Sequence, residues 1–143
     1  MSGTHWLRTG AIAGAIGVLF GTFGAHGLAP SADALRALSP LDRESTEKRL
    51  ANFDTGVRYH MVHALAIVAV GLAASRGGRS RALDAAGGLF LVGVILFSGA
   101  LYGIGVGGPR WLGMIAPLGG VSLILGWCAL ALGSTPPIAK RGD

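Results

Sequence analysis

Residues 9–29 read TGAIAGAIGVLFGTFGAHGLA, and no charged side chain lies between Arg8 and Asp33. An α-helix rises about 1.5 Å per residue, so about 20 apolar residues cross a hydrocarbon core of about 30 Å. This stretch therefore predicts a membrane-spanning helix. A cleavable signal peptide is the alternative, because a basic residue precedes the stretch and Ala32-Asp33-Ala34 follows it. The many glycines argue against cleavage, since a signal core favours leucine.

The glycines of this stretch are spaced by four, three, four and three residues, at Gly10, Gly14, Gly17, Gly21 and Gly24. Such spacing forms one stripe on a helix, and stripes of small residues let helix backbones approach closely inside a membrane. The stripe predicts a helix that is retained for packing. The same pattern recurs at Gly99, Gly103 and Gly107, and more loosely at Gly113, Gly119, Gly120 and Gly126. A tight bundle without a wide pore is expected.

Three further apolar segments follow, at about 59–75, 85–106 and 111–133. The second is bracketed by arginines and is short by itself, and the third ends at the breaker Gly107-Gly108-Pro109. The whole chain is therefore predicted to be one membrane domain. Its fold class is predicted to be all-α, an integral membrane four-helix bundle with an amphipathic helical segment between spans 1 and 2.

The composition supports a membrane protein over a soluble one. The chain has 143 residues, of which 51% are hydrophobic and 13% are charged, against roughly 25% charged residues in soluble domains. The net charge is +5, but the basic residues lie between apolar segments, as expected for contacts with lipid headgroups and not with nucleic acid. Cys128 is the only cysteine, which excludes an intramolecular disulfide and a thiolate metal site; no metal is predicted.

Residues 30–58 form the only long polar region. Ser39 is predicted to cap a helix that begins at Pro40. An apolar stripe follows at Leu50, Phe53, Val57 and Met61. We expect one helix to lie along the interface, or rise from it, and to continue into the second span with a bend at Gly56; a solvated connector is the alternative.

The positions of the basic residues predict which side of the membrane each loop and terminus faces. Four spans place six Lys and Arg residues on each side of the membrane. The short loop with Arg76, Arg79 and Arg81 is the most compact basic group, and it favours a cytoplasmic location for that loop and for both termini. The expected location is the bacterial inner membrane, with the lipid bilayer as the first partner.

Polar side chains inside the spans are costly in lipid and need partners. They form three pairs with four-residue spacing, which places each pair on one helix face: Thr22 and His26, Tyr59 and His63, Ser98 and Tyr102. Alternating span direction brings the pairs to one side of the membrane. They predict an interhelical hydrogen-bond network centred on His26 and His63. Position 60 is turned about 100° from position 59 on a helix, so His60 is expected to point elsewhere.

Two interpretations of this polar cluster stay open. In the first, the histidines bond to hydroxyls or carbonyls and hold the bundle together. In the second, His26 and His63 bind a cofactor, either by ligating a haem iron or by binding a quinone or passing a proton. The glycine-rich run 103–108 ends a span instead of joining a strand to a helix, so it is not a dinucleotide motif. No credible catalytic triad is present, and an enzyme is not predicted.

Several segments together resemble a family of small bacterial membrane proteins catalogued as domain of unknown function 423, which is related to eukaryotic transmembrane protein 256. The matching stretches are residues 21–28 (GTFGAHGL), 55–66 (TGVRYHMVHALA), 97–102 (FSGALY), 116–120 (APLGG) and 126–127 (GW). The resemblance implies a four-span inner-membrane protein without an established activity. Its motif residues correspond to His26, Tyr59, His63, Ser98, Tyr102 and Pro117. The family typically has glutamine at the position of His60 and serine at that of Ala100, which argues against a three-histidine site.

The leading hypothesis is a non-catalytic membrane protein that acts by helix packing, either alone or as an accessory subunit of a larger membrane complex. The protein partners that it implies are other membrane-protein subunits or a second copy of this chain. A haem- or quinone-binding redox or proton-handling protein is the alternative. A small-solute transporter ranks third, because it would need polar residues along the full depth of the membrane, whereas these are confined mostly to one side.

Overall fold

A computed structural model describes residues 3–77 and 80–133 of the chain. Four of its helices are long and apolar enough to cross a membrane, and the described residues contain no β-strand. The prediction of an all-α four-span bundle is confirmed. We number the helices α1 (Thr4–Leu28), α2 (Ala32–Ala37), α3 (Pro40–Gly77), α4 (Arg81–Gly105) and α5 (Leu112–Gly133). Two of them contain a π-helical turn, Gly24–Leu28 in α1 and Val94–Ser98 in α4.

Serine caps fix the starts of three helices. The predicted start of α3 is confirmed, because the Ser39 hydroxyl accepts a hydrogen bond from the Asp42 backbone N–H at 3.3 Å and Pro40 is the first helical residue. Ser31 caps α2 through the Ala34 N–H at 3.2 Å, and Ser80 caps α4 through the Leu83 N–H at 3.1 Å. Each cap satisfies a backbone donor that has no partner within its own helix.

The polar connector contains the continuous helix that the sequence predicted. The second span is the end of a helix of 38 residues that begins at Pro40, and Gly56 lies within it. The apolar stripe of this helix faces α1 and α4 instead of a lipid surface, because Leu50, Phe53 and Val57 line a cleft shared with α1. The opposite face is exposed and carries the Glu44–Lys48 ion pair, whose hydrogen bond and charge lower the pKa of Glu44. Residues 40–58 are therefore part of one continuous helix that packs on its neighbours.

Arginines tie this helix to its neighbours at the polar end of the bundle. Arg49 donates from Nε to the Gly105 carbonyl at 3.3 Å, where α4 ends. Gly107 follows with a φ of 89°, the left-handed conformation typical of a residue just after a helix. Arg43 donates from Nε to the Leu35 carbonyl of α2 at 3.2 Å. A cation at a helix C-terminus satisfies free carbonyls and interacts favourably with the helix dipole.

Helices α1 and α3 pack through glycines at every seventh position. A Cβ atom added at Gly10 or Gly17 would come within 2.6 Å of Val68 or Met61, and one added at Gly24 would come within 2.8 Å of the Phe53 ring. Gly3, which the spacing analysis did not include, meets Gly71 and Ser75 in the same way. The two helices are therefore antiparallel and in close backbone contact.

The predicted glycine stripe needs correction in two places. Gly14 has no atom within 4 Å of an added Cβ, and Gly21 makes only an ordinary contact with Val57. A four-three spacing covers a band wider than one helix contact, so the middle members of the stripe lie beside the contact line. In α4, Gly99 is likewise open and Gly103 contacts Leu112, whereas Gly107 lies just beyond the end of the helix.

The contacts between α4 and α5 use other glycines. Gly93 meets Leu123, Gly119 meets the Phe97 backbone, and Gly126 meets the Phe90 ring. Of these, Gly119 and Gly126 belong to the looser predicted set. Gly113 is open, and Pro117 is exposed inside α5, so the structure does not place Pro117 in a helix contact. The central core is apolar and includes Ile67, Val70, Ala86, Phe90 and Leu123.

Candidate functional site

Two aromatic clusters meet on α3, on adjacent faces of the helix. The first, which we call the closed cluster, consists of Phe20, Phe53, His60 and Tyr102. Phe20 of α1 stacks on Tyr102 of α4 with ring centroids 4.3 Å apart and an interplanar angle of 11°. His60 Nδ1 lies 3.1 Å from the Tyr102 hydroxyl, and the His60 ring is 6.4 Å from that of Phe20, centroid to centroid. This cluster therefore links α1, α3 and α4.

The second, which we call the groove cluster, consists of Tyr59, His63, Phe90, Phe97 and Trp127. The Trp127 indole N–H donates to His63 Nε2 at 3.1 Å, and His63 Nδ1 lies 2.7 Å from the Tyr59 carbonyl oxygen. Because a carbonyl only accepts, Nδ1 carries the proton and Nε2 is the acceptor. The hydrogen bonds thus define His63 as the neutral Nδ1–H tautomer.

A lateral groove of about 470 Å³ runs along the groove cluster between α3 and α5. Its walls are mostly apolar, with Tyr59, His63, Phe97 and Trp127 as the ring-bearing residues and Arg58 at one end. The remaining lining residues are Val62, Gly120, Leu123 and Ile124. Gly120 leaves this space open, since a Cβ added there would touch only the Phe97 ring, at 3.8 Å.

The predicted pair on α1 lies outside both clusters. Thr22 and His26 are exposed, and the Thr22 hydroxyl donates to the Val18 carbonyl of its own helix at 3.0 Å. Gly24 lies opposite Phe53, and His63 is ten residues further along α3, which is about 15 Å along the helix axis. His26 extends from Gly24 in the other direction, because α1 and α3 are antiparallel. The two imidazoles are therefore not placed to bind one haem iron from its two faces.

The serines of the spans behave differently from each other. The Ser122 hydroxyl donates to the Leu89 carbonyl at 2.8 Å and joins α5 to α4. Ser98, one turn before Tyr102, is fully buried and its hydroxyl has no hydrogen-bond partner in the described part of the chain. The described ranges 3–77 and 80–133 also contain no group of three or more His, Cys, Asp or Glu side chains suited to a metal ion.

Comparison with known proteins identifies the family. The family model described as "Protein of unknown function (DUF423)" matches residues 20–120. The chain belongs to this family. The UPF0382 membrane protein YwdK of Bacillus subtilis is 37% identical over 123 residues, which cover 86% of this chain and 89% of the relative. A UPF0382 membrane protein of Haemophilus influenzae is 34% identical over 129 residues, which cover 90% of this chain and 92% of the relative.

A third relative is the UPF0382 inner membrane protein YgdD of Escherichia coli, 32% identical over 135 residues that cover 94% of this chain and 92% of the relative. No solved structure matches the chain. Together with the four apolar helices, these relatives make this DUF423 protein a multi-pass membrane protein, and they agree with the expected inner-membrane location. The predicted orientation of the termini stays a prediction.

Sequence reasoning missed two of the residues that form hydrogen bonds in these clusters. His60 was expected to point away from the polar residues, but it is buried and bonds to Tyr102. Trp127 was noted only as part of a motif, although an indole N–H inside a span needs an acceptor, and that requirement was a usable signal. Tyr59, His63 and Tyr102 do lie on neighbouring helix faces, as the spacing predicted, but in two clusters instead of one.

Proposed function

We propose that this DUF423 protein is non-catalytic and acts through helix packing, as an accessory subunit of a larger membrane assembly. The use of its polar side chains supports this proposal. His60, His63 and Ser122 each direct hydrogen bonds to neighbouring side chains or backbone. A general base needs a free ring nitrogen near its substrate, and both ring nitrogens of His63 are already engaged.

The outer face of α1 supports an accessory role. Helix α1 is the least buried of the four spans. Its exposed surface carries large apolar residues, and one of these, Val18, lies one helical turn from the open position Gly14. A small residue on an apolar face is the pattern that lets a second helix approach closely in a membrane. We therefore assign partner contact to this face.

Affinity purification in mild detergent, followed by mass spectrometry, tests the proposal. The variant Gly14→Leu adds bulk where nothing lies within 4 Å, so the chain should still fold while a partner helix is displaced. The matched control is Gly120→Leu on α5, which makes the same change in the lateral groove. A membrane partner should be recovered with the wild type and the control but not with Gly14→Leu. Recovery of a homogeneous monomer with reproducible enzymatic turnover would overturn the proposal.

Of the two ligands in the alternative hypothesis, haem and quinone, the structure supports only a quinone. A haem held by His26 and His63 has no support, since more than about 15 Å along the helix axes separates the two side chains. A quinone needs only one ring-lined site, and His63 and Tyr59 border one. The transporter alternative has no support from the core, because Ile67, Val70 and Phe90 fill the centre of the bundle.

A further inference from the structure

The lateral groove opens towards the lipid. Val62 and Ile124, on its two rims, are 53% and 64% exposed. Both rims belong to membrane-spanning helices, so their exposed side chains face the bilayer. A molecule that enters the groove therefore comes from the membrane, and any chain it carries can remain among the lipid tails.

Among the described residues that line the groove, a single side chain is charged, that of Arg58. His63 is the neutral tautomer with both ring nitrogens bonded. Arg58, at the end of the groove, forms an ion pair with Asp54 at 2.6 Å. A phosphate headgroup would share the guanidinium with Asp54, whereas an uncharged headgroup leaves this ion pair unchanged.

One polar group in the groove remains available. The Tyr59 side chain is 44% exposed, and its hydroxyl has no hydrogen-bond partner among the residues that the structure describes. A phenol hydroxyl donates one hydrogen bond, so it matches a carbonyl oxygen on a ligand. The Tyr59 ring that carries this hydroxyl packs on Phe97, with centroids 4.6 Å apart.

The rings on three helices set the shape of the ligand. Tyr59 and His63 come from α3, Phe97 from α4 and Trp127 from α5, and they present apolar faces and edges to the same space. Phe97 lies in the π-helical turn of α4, and such turns are frequent at functional sites. Aromatic side chains pack well against a planar ring in offset or edge-on geometry.

From these features we propose that the lateral groove binds an uncharged, lipid-dissolved molecule with a planar ring and carbonyl acceptors, of the isoprenoid quinone class. The ring would lie between Phe97 and Trp127, with a carbonyl accepting from the Tyr59 hydroxyl. The isoprenoid chain would leave past Val62 and Ile124 into the bilayer. This inference rests on the quinone alternative above and not on the accessory role of α1.

Quenching of tryptophan fluorescence tests the proposal. The full-length protein in neutral detergent is titrated with a ubiquinone that carries two isoprene units. Saturable quenching is expected in the wild type and should disappear in Trp127→Phe, which removes the reporter in the groove and leaves Trp6 and Trp111. Gly120→Leu fills the groove and should weaken binding at least tenfold, whereas the matched control Gly14→Leu should bind as the wild type does.

A milder variant keeps the proposal testable if Gly120→Leu fails to fold. Tyr59→Phe keeps the ring and removes only the hydroxyl, so binding should weaken about fivefold through loss of one hydrogen bond. Quenching that rises linearly with quinone and is equal in all variants would overturn the proposal. So would displacement of the quinone by phosphatidylglycerol in the wild type but not in Arg58→Gln, because that result identifies an anionic lipid as the ligand. Neither result bears on partner loss in Gly14→Leu, so the two proposals fail separately.

Discussion

His60 and His63 lie on the same helix and are almost equally buried, at 6% and 5% exposed, but their surroundings differ. The partner of His60 is Tyr102, which is itself buried at 8% exposed. The partners of His63 are Trp127 and Tyr59. Both line the lateral groove, and they are 46% and 44% exposed. The partner of His60 is therefore buried as well, whereas the partners of His63 are themselves exposed at the groove.

The packing of α3 explains this difference. His60 and His63 are three residues apart, so their side chains leave the helix at directions about 60° apart and face different neighbours. His60 faces α1 and α4, where Gly17 and Gly56 bring the backbones close. His63 faces α4 and α5, where Gly120 leaves a groove open. Burial of a side chain alone therefore does not distinguish a packing histidine from one beside a binding site.

Replacing each histidine by alanine should give the largest difference between the two clusters. His60→Ala leaves a cavity between three helices and removes the partner of the Tyr102 hydroxyl, so the free energy of unfolding should fall by about 3 kcal/mol. His63→Ala should cost about 1 kcal/mol, because lipid or detergent can enter from the groove and the Trp127 N–H can find another acceptor. Denaturation by sodium dodecyl sulfate in mixed micelles measures both. Equal losses of unfolding free energy in the two variants would show that access from the groove does not reduce the cost of removing His63.

Tyr102→Phe should have an intermediate effect. The ring and its stack on Phe20 remain, but His60 Nδ1 loses its hydrogen-bond partner inside the bundle. The free energy of unfolding should therefore fall by about 1–2 kcal/mol. A double-mutant cycle with His60→Ala isolates the interaction. The same change at Tyr59 is the control, since its hydroxyl has no partner in the described structure, and it should leave stability nearly unchanged. Additive losses from His60→Ala and Tyr102→Phe would contradict the hydrogen bond between them.

The sequence predicted the parts of this comparison that depend on one helix at a time. Charge-free length identified the four spans, the Ser39-Pro40 pair identified the start of α3, and four-residue spacing placed Tyr59 with His63. It did not identify partners between helices, because these depend on how each helix is rotated about its own axis. A spacing pattern therefore could not separate Gly10, which contacts α3, from Gly14, which is open.

The same limit explains the histidine predictions. His26 was chosen as a centre because it ends the first span, but the packing of α1 leaves it exposed. His60 was set aside because it points away from Tyr59, although the direction it does take leads to Tyr102. Only the choice of neighbouring helix distinguishes these outcomes.

Ser98→Ala should have the smallest effect, with the opposite sign. Ser98 precedes Tyr102 of the closed cluster by one turn and follows Phe97 of the groove cluster, but its own hydroxyl is buried without a partner. Burying an unpaired hydroxyl costs about 1–3 kcal/mol, and alanine removes that cost along with one small group, so stability should stay constant or rise by up to about 1 kcal/mol. The same micellar denaturation measures this, with Ser122→Ala as the matched control, which should lose about 1 kcal/mol because it breaks the bond to the Leu89 carbonyl. A loss in Ser98→Ala as large as that in Ser122→Ala would mean that Ser98 has a bonding partner, such as a bound water or ligand, between the two clusters.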